Sequence, residues 1–205
     1  KEKLSLIEGG EGIKIIALLG SVCNKSQIEN AVRSFQVDTI YHVAAYKQVP
    51  MVEKNIVEGA QNNIFGTLLT AEAAMKYKVK NFVLISTDKA VRPTNFMGAS
   101  KRFAEQVLQA LAKSEQATKF SMVRFGNVLG SSGSVVPLFL QNIANKKNYL
   151  PITDERMTRF MISLEEGVIL VWKAFEDMSG GEIYVKKIPS MKITDIAKAV
   201  SYTHL

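Results

Sequence analysis

The sequence predicts an α/β protein built on a doubly wound parallel sheet. Two observations carry this reading: the strand-like segments are short continuous apolar runs, and a helix-length amphipathic stretch separates each from the next. Strands read that way when helices cover both faces of their sheet. Taken in order, Ile13 to Leu19 is expected to be a strand, Lys25 to Phe35 a helix, Asp38 to Ala45 a buried strand and Ala60 to Tyr77 a long helix. Asn81 to Ser86 returns to strand, Met97 to Ser114 to helix, Phe120 to Phe125 to strand and Val135 to Lys146 to helix. A helix over Leu164 to Glu176, a strand over Gly181 to Val185 and a last helix from near Thr194 complete the alternation. In such sheets ligands sit beyond the carboxyl ends of the strands. The residues after Ala45, Ser86 and Phe125 are therefore where chemistry is to be sought.

Composition removes several classes. With 205 residues the chain supports one sizeable core and a small appended lobe. The single cysteine, Cys23, excludes a disulfide scaffold, and with only His42 and His204 there is no histidine cluster for a metal. The longest apolar stretch, around Gly167 to Phe175, falls far short of the roughly 20 residues a membrane span needs. No signal peptide is recognised ahead of the fold. Twenty-six Lys+Arg against nineteen Asp+Glu give a net charge of +7, which suits anionic ligands. The basic residues are scattered in pairs, Lys146 with Lys147 and Lys186 with Lys187, without interleaved aromatics, so no nucleic-acid partner is expected.

A dinucleotide-binding sheet should open with a strand, a G-x-G-x-x-G loop and a helix whose N-terminus holds the pyrophosphate. Gly9, Gly10 and Gly12 have the wrong spacing and precede a strand, and are expected to form a loop. The G-x-S-x-G nucleophile elbow is absent, including at Gly130-Ser131-Ser132-Gly133, which argues against an α/β-hydrolase.

The strand ends are more telling. After the Asn81 to Ser86 strand the chain reads Ser86-Thr87-Asp88-Lys89-Ala90, then Met97-Gly98-Ala99-Ser100-Lys101, placing hydroxyls, a carboxylate and amines at one edge of the sheet. His42-Val43-Ala44-Ala45-Tyr46-Lys47 follows the preceding strand and Arg124-Phe125-Gly126-Asn127 the next. With Pro151 to Phe160 and Ile188 to Thr194, these segments closely resemble the UDP-N-acetylglucosamine 4,6-dehydratases. That family lies in the extended short-chain dehydrogenase/reductase superfamily and includes polysaccharide-biosynthesis enzymes of the membrane-anchored CapD-like branch. The resemblance runs from about Leu19 to Val200, and S-T-D-K-A followed by M-G-A-S-K is its most specific part.

The resemblance implies a Rossmann-like NAD(P)-binding fold lacking its first βαβ unit, with 1–149 an incomplete cofactor domain and 150–199 part of a small substrate lobe together with elements that return to that domain. Residues 200–205 are expected to be a non-native tail, so His204 is given no role. The resemblance also implies a lyase that converts UDP-N-acetylglucosamine to a 4-keto-6-deoxy sugar nucleotide, for bacterial surface-polysaccharide or glycoprotein sugar synthesis. A tightly bound NAD or NADP would be recycled in each turnover. A homo-oligomer in the cytoplasm is expected, and any attachment of the parent to the membrane would run through an N-terminal portion outside this sequence. The fragment alone is expected to be inactive.

By the same resemblance Lys89 is the base at C5 of the sugar and Asp88 the acid at O6, with Thr87 orienting the 4-hydroxyl and Lys101 holding the nicotinamide ribose. For these roles the lysine pKa must fall from about 10.4 and the aspartate pKa rise from about 3.9. A desolvated pocket moves both that way, whereas an ion pair between them opposes it. Adjacent residues of a regular strand point to opposite faces, so the backbone must turn at Thr87 or Asp88 if both address one ring. Ala44, Ala45, Asn63, Ser86 and Lys101 are expected beside the cofactor. Lys47, Asn127, Ser134 and Arg159 are expected beside the sugar nucleotide, Arg159 as a planar fork on the diphosphate.

Each of these residues has a plainer reading. A D-K dipeptide alone is a solvated loop pair, Ser86 and Thr87 alone a capped turn, Lys101 a surface lysine, Asn63 helix packing, and Arg159 a salt-bridge partner of Asp154 or Glu155. Two departures stand out. Met97 occupies the place where the broader superfamily has a proton-abstracting tyrosine, so Asp88 and Lys89 are both candidates for deprotonating O4. Ser21 stands where relatives commonly have an aspartate facing the adenine. A nucleotide-sugar epimerase or dehydratase-epimerase is the alternative within the superfamily, and a non-catalytic basic binding module the alternative outside it.

Overall fold

The structure, a computed structural model, describes residues 13–114 and 117–204. The chain runs α1 (Lys25–Ser34), β1 (Thr39–His42), α2 (Val49–Lys54), α3 (Ile56–Ala60), a π-helical turn (Gln61–Phe65) and α4 (Gly66–Lys76). Next come β2 (Asn81–Thr87), a 3-10 turn (Asp88–Ala90), α5 (Phe96–Ser114), β3 (Lys119–Phe125), β4 (Asn127–Val128) and α6 (Val135–Ala144). The described part closes with β5 (Thr158–Ile162), α7 (Leu164–Asp177), β6 (Ile183–Val185), β7 (Ser190–Lys192) and α8 (Ile193–His204).

Strands β1, β2, β3 and β6 form a parallel sheet in that order, with Thr39 opposite Asn81, Asn81 opposite Lys119 and Met122 opposite Ile183. Successive side chains alternate between its two faces. Phe82, Leu84, Phe120 and Met122 meet Val32 of α1, Ala71 and Ala74 of α4, and Ala104 and Leu108 of α5. Val83 and Val123 meet Leu170 and Ala174 of α7, with Met178 beyond it. Helices thus cover both faces, as the unbroken apolar strands require. Ser163 and Glu166 form a reciprocal capping box at the start of α7, satisfying backbone donors that the helix itself leaves unpaired.

Ile13 to Leu19, expected to be a strand, has no regular structure, and Ile13, Ile15, Ile16, Leu18 and Leu19 are exposed. A strand persists only through hydrogen bonds to a neighbour. In this sheet β1 pairs with β2 alone, and no other described strand lies beside it. Gly9, Gly10 and Gly12 lie outside the described residues.

A second sheet, ordered β4-β5-β7, covers another core of Phe139, Met161, Ile193, Ile196, Ala197 and Val200. Its parallel pair joins Asn127 to Met161 and its antiparallel pair Arg159 to Met191. This core draws on both sides of residue 150, since α6 packs against α8, while α7 and β6 return to the first sheet.

Candidate active site at the carboxyl edge of the sheet

Parallel pairing of β1, β2 and β3 brings the segments after Val43, Ile85 and Phe125 to one edge. Thr87 ends β2 in an extended conformation (φ −144°, ψ 156°), and the chain then turns into the 3-10 segment Asp88–Ala90. Thr87 Oγ1 donates to Asp88 Oδ1 at 3.0 Å and accepts from the Lys89 N–H at 3.4 Å. Lys89 Nζ reaches the same Oδ1 at 3.1 Å, with side-chain exposures of 36% for Lys89 and 29% for Asp88. The turn cancels strand alternation, so two sequence neighbours meet head to head. Their contact is an ion pair.

The start of α5 is pressed against this turn. Asn95 Oδ1 accepts from the Gly98 N–H at 2.8 Å, and a Cβ at Gly98 would collide with the Lys89 carbonyl. Met97, four residues before Lys101, is 4% exposed and offers no proton-transfer group. Lys101 is 5% exposed and donates from Nζ to the Ile85 carbonyl at 2.8 Å. Burial brings its pKa down to about 8, against an opposing pull from Glu105. An ammonium has three donors, so Lys101 has capacity beyond the Ile85 carbonyl.

Asn63 and Ser86 face inward. Asn63 sits in the π-helical turn, wholly buried, with Oδ1 accepting from the Tyr46 N–H at 2.8 Å and Nδ2 donating to the Tyr46 carbonyl at 3.1 Å and to Ser100 Oγ at 3.0 Å. It fixes the Ala44 to Lys47 segment, and any effect on a cofactor runs through that segment. Ser86 Oγ donates to Glu105 Oε1 at 2.6 Å. Ala44 is exposed and Ala45 half-buried directly after β1.

On the other side, Lys47 Nζ donates to the Ser132 carbonyl at 2.8 Å, joining the loops after β1 and β4. A cavity of about 520 Å³ lies beside this junction, lined by Ala45, Tyr46, Lys47, Gln48, Asn55 and Glu58 among others. Asn127 Oδ1 and Ser134 Oγ are buried with no hydrogen-bond partner. Buried polar atoms without partners are costly, and both fit a ligand able to donate to them. Arg159 is exposed on β5, its Nη1 donating to the Thr158 carbonyl at 2.8 Å. Asp154 pairs with Arg156 at 2.6 Å instead of with Arg159.

Three participants were given no role by the sequence, although His42 opens one of the segments that carry the resemblance. Glu105 is buried on α5, one turn after Lys101, and His42 is buried at the end of β1. The third, Thr67, donates to the Asn63 carbonyl at 2.8 Å, so its contact with His42 Nε2 at 3.1 Å uses the proton of a neutral imidazole. Burial, with help from Lys101, holds the His42 pKa down at about 4.

The model of the polysaccharide biosynthesis protein family matches residues 3–204. The chain is 46% identical over 186 residues to a UDP-N-acetylglucosamine 4,6-dehydratase (inverting) of Campylobacter jejuni, covering 89% of this chain and 55% of that protein. It is 41% identical over 189 residues to a UDP-glucose 4-epimerase of Rickettsia canadensis, covering 91% and 54%. The crystal structure of Pen from Bacillus thuringiensis superposes with a TM-score of 0.85 at 37% identity, over 91% of this chain and 58% of that one. The chain spans about half the length of these curated relatives.

Proposed function

The chain belongs to the polysaccharide biosynthesis protein family, and from that premise we propose that it carries the reacting edge of an NAD(P)-dependent UDP-N-acetylglucosamine 4,6-dehydratase. The observation that carries this reading is the meeting of the Asp88 carboxylate and the Lys89 amine at 3.1 Å beyond the carboxyl end of β2, where an elimination needs an acid and a base together. Bound cofactor would supply the redox chemistry, removing a hydride from C4 and returning it at C6. Lys101, with ammonium donors to spare, fits the ribose hydroxyls beside Ala44 and Ala45.

The proton balance assigns the remaining steps. Asp88, as carboxylate, takes the O4 proton as the C4 ketone forms. That ketone acidifies the C5 hydrogen, which Lys89 accepts as a neutral amine. Asp88 then passes its proton to O6, the C6–O bond breaks and water leaves. Lys89 finally reprotonates C5, and both groups are back where they began. Since Met97 has no proton to exchange, this cycle lets Asp88 serve O4 and O6 in turn. It also requires the resting ion pair to release one proton before turnover. Thr87 and Lys89 both contact Oδ1, which suits Oδ2 to the sugar. Asn127, Ser134, Lys47 and Arg159 would hold the sugar nucleotide.

The full-length protein, given UDP-N-acetylglucosamine, is expected to release a product lighter by one water, detected by mass spectrometry. Asp88→Asn and Lys89→Ala are each expected to lower turnover by roughly 10²- to 10⁴-fold with folding preserved. Unchanged turnover in either removes that residue from the mechanism. The 41% identity to a UDP-glucose 4-epimerase favours a second reading, for which an isomer of unchanged mass is the expected product. Exposed Ile56 and Val57 on α3, Phe65 on the π turn and Phe103 on α5 support homo-oligomer formation. Among the described residues no helix is long and apolar enough to cross a membrane. A cytoplasmic setting for this domain is part of the same proposal.

A further inference from the structure

We propose that Glu105 is a positioning residue of this edge: its buried carboxylate ties the ends of β2 and β3 to α5 and restricts Ser86 to accepting hydrogen bonds. The inference rests on the proposed function only in taking this edge as the reacting one. Glu105 is 0% exposed. Its Oε1 accepts from Ser86 Oγ at 2.6 Å and Arg124 Nε at 2.8 Å, and its Oε2 from Arg124 Nη2 at 2.5 Å and Arg102 Nη1 at 3.3 Å. Ser86 and Arg124 are directly paired across β2 and β3. One carboxylate on a helix therefore holds the same rung of two neighbouring strands.

A buried charge is costly unless its lone pairs are filled, and a helix needing only packing would carry an apolar residue here. The guanidinium grips both oxygens in a planar fork, which fixes direction as well as distance. An ionised carboxylate only accepts, so the single Ser86 proton is committed to it and Ser86 cannot donate to a ligand. Thr87, Asp88 and Lys89 follow Ser86 without a break, and Lys101 lies one helical turn before Glu105. The groups meant to converge on the sugar and cofactor thus hang from one clasp.

The test is a variant cycle in the full-length protein. Glu105→Gln preserves shape but turns one acceptor into a donor. Its expected effect is a kcat lower by roughly 10- to 100-fold with KM for UDP-N-acetylglucosamine within about threefold, the signature of displaced reacting groups. Ser86→Ala should lower kcat alone yet add nothing in the Glu105→Gln background. If Glu105→Gln does not fold, Ser86→Ala and Arg124→Lys replace it, and their effects must again fail to multiply. Wild-type kcat and KM in folded Glu105→Gln, or effects of the arms that multiply, would overturn the clasp. A wild-type protein that makes no dehydrated sugar overturns the function above, and the clasp is then judged on NADH affinity by fluorescence titration. There a shared, non-multiplying loss of affinity supports it, and independent effects overturn it.

Discussion

His42 shows what burial does to a single titrating side chain. It ends β1 at 4% exposure with its ring proton on Thr67, and its pKa in the folded protein is about 4 against an ordinary 6.5. Because the folded pKa lies below the unfolded one, the unfolded chain binds more protons between those values. Stability is therefore flat with respect to His42 above about pH 6.5 and falls as the pH drops toward 4, by roughly 3 kcal/mol in total. Urea titrations at stepped pH should show this slope. His42→Gln, which can still donate to Thr67 but does not titrate, should lose it. An unaltered slope in the variant would assign the acid lability to other groups.

Helix α5 is the element on which the site depends most, because three of its residues meet the strand ends differently. Gly98 lets its first turn touch the Lys89 carbonyl, Lys101 reaches the Ile85 carbonyl and Glu105 holds Ser86 and Arg124. In an exposed helix Gly→Ala stabilises by about 1 kcal/mol. At Gly98 the added methyl meets backbone atoms, which cannot rotate away, and the sign reverses. Gly98→Ala is expected to destabilise by roughly 1–3 kcal/mol and to depress turnover by shifting Lys89. Denaturant unfolding of the full-length variant checks the first and product formation the second. A stabilised variant would mean that α5 and the 3-10 turn do not touch as described. The π-helical turn has a similar local logic, since its extra residue swings Asn63 inward to grip Tyr46.

Across the molecule, the two cores interleave along the chain. α6 and α8 build the second while α7, between them, serves the first. An apolar groove of about 370 Å³ lies between α7 and the carboxyl ends of the first sheet's strands, lined by Tyr41, Val43, Phe125, Leu164, Val168 and Trp172. Tyr41, Val43, Leu164, Val168 and Trp172 are all exposed and leave an apolar surface beside it. The 205-residue chain expressed by itself is expected to bind the dye 8-anilinonaphthalene-1-sulfonate while folded, and Trp172→Ser to reduce that binding. Fluorescence no higher than that of a compact control protein would show the groove to be closed in solution.

Apolar periodicity by itself determined the order and type of the main elements, since burial on two faces leaves its mark directly in each strand, and S-T-D-K-A with M-G-A-S-K marked where the chemistry lies. Periodicity could not tell that Ile13 to Leu19 has no neighbouring strand among the described residues, because pairing is a property of the sheet and not of the segment. Nor could it find α2, whose six residues are too few to display a helical period, or the second core assembled from both sides of residue 150. The meeting of Asp88 with Lys89 needed the 3-10 turn, and the inward commitment of Asn63, Ser86 and Glu105 needed partners from distant parts of the chain. Local pattern records what a residue prefers to be buried against. Only the folded chain decides which polar atoms face each other, because hydrogen bonds are short and directional while the sequence separations they span here reach 85 residues.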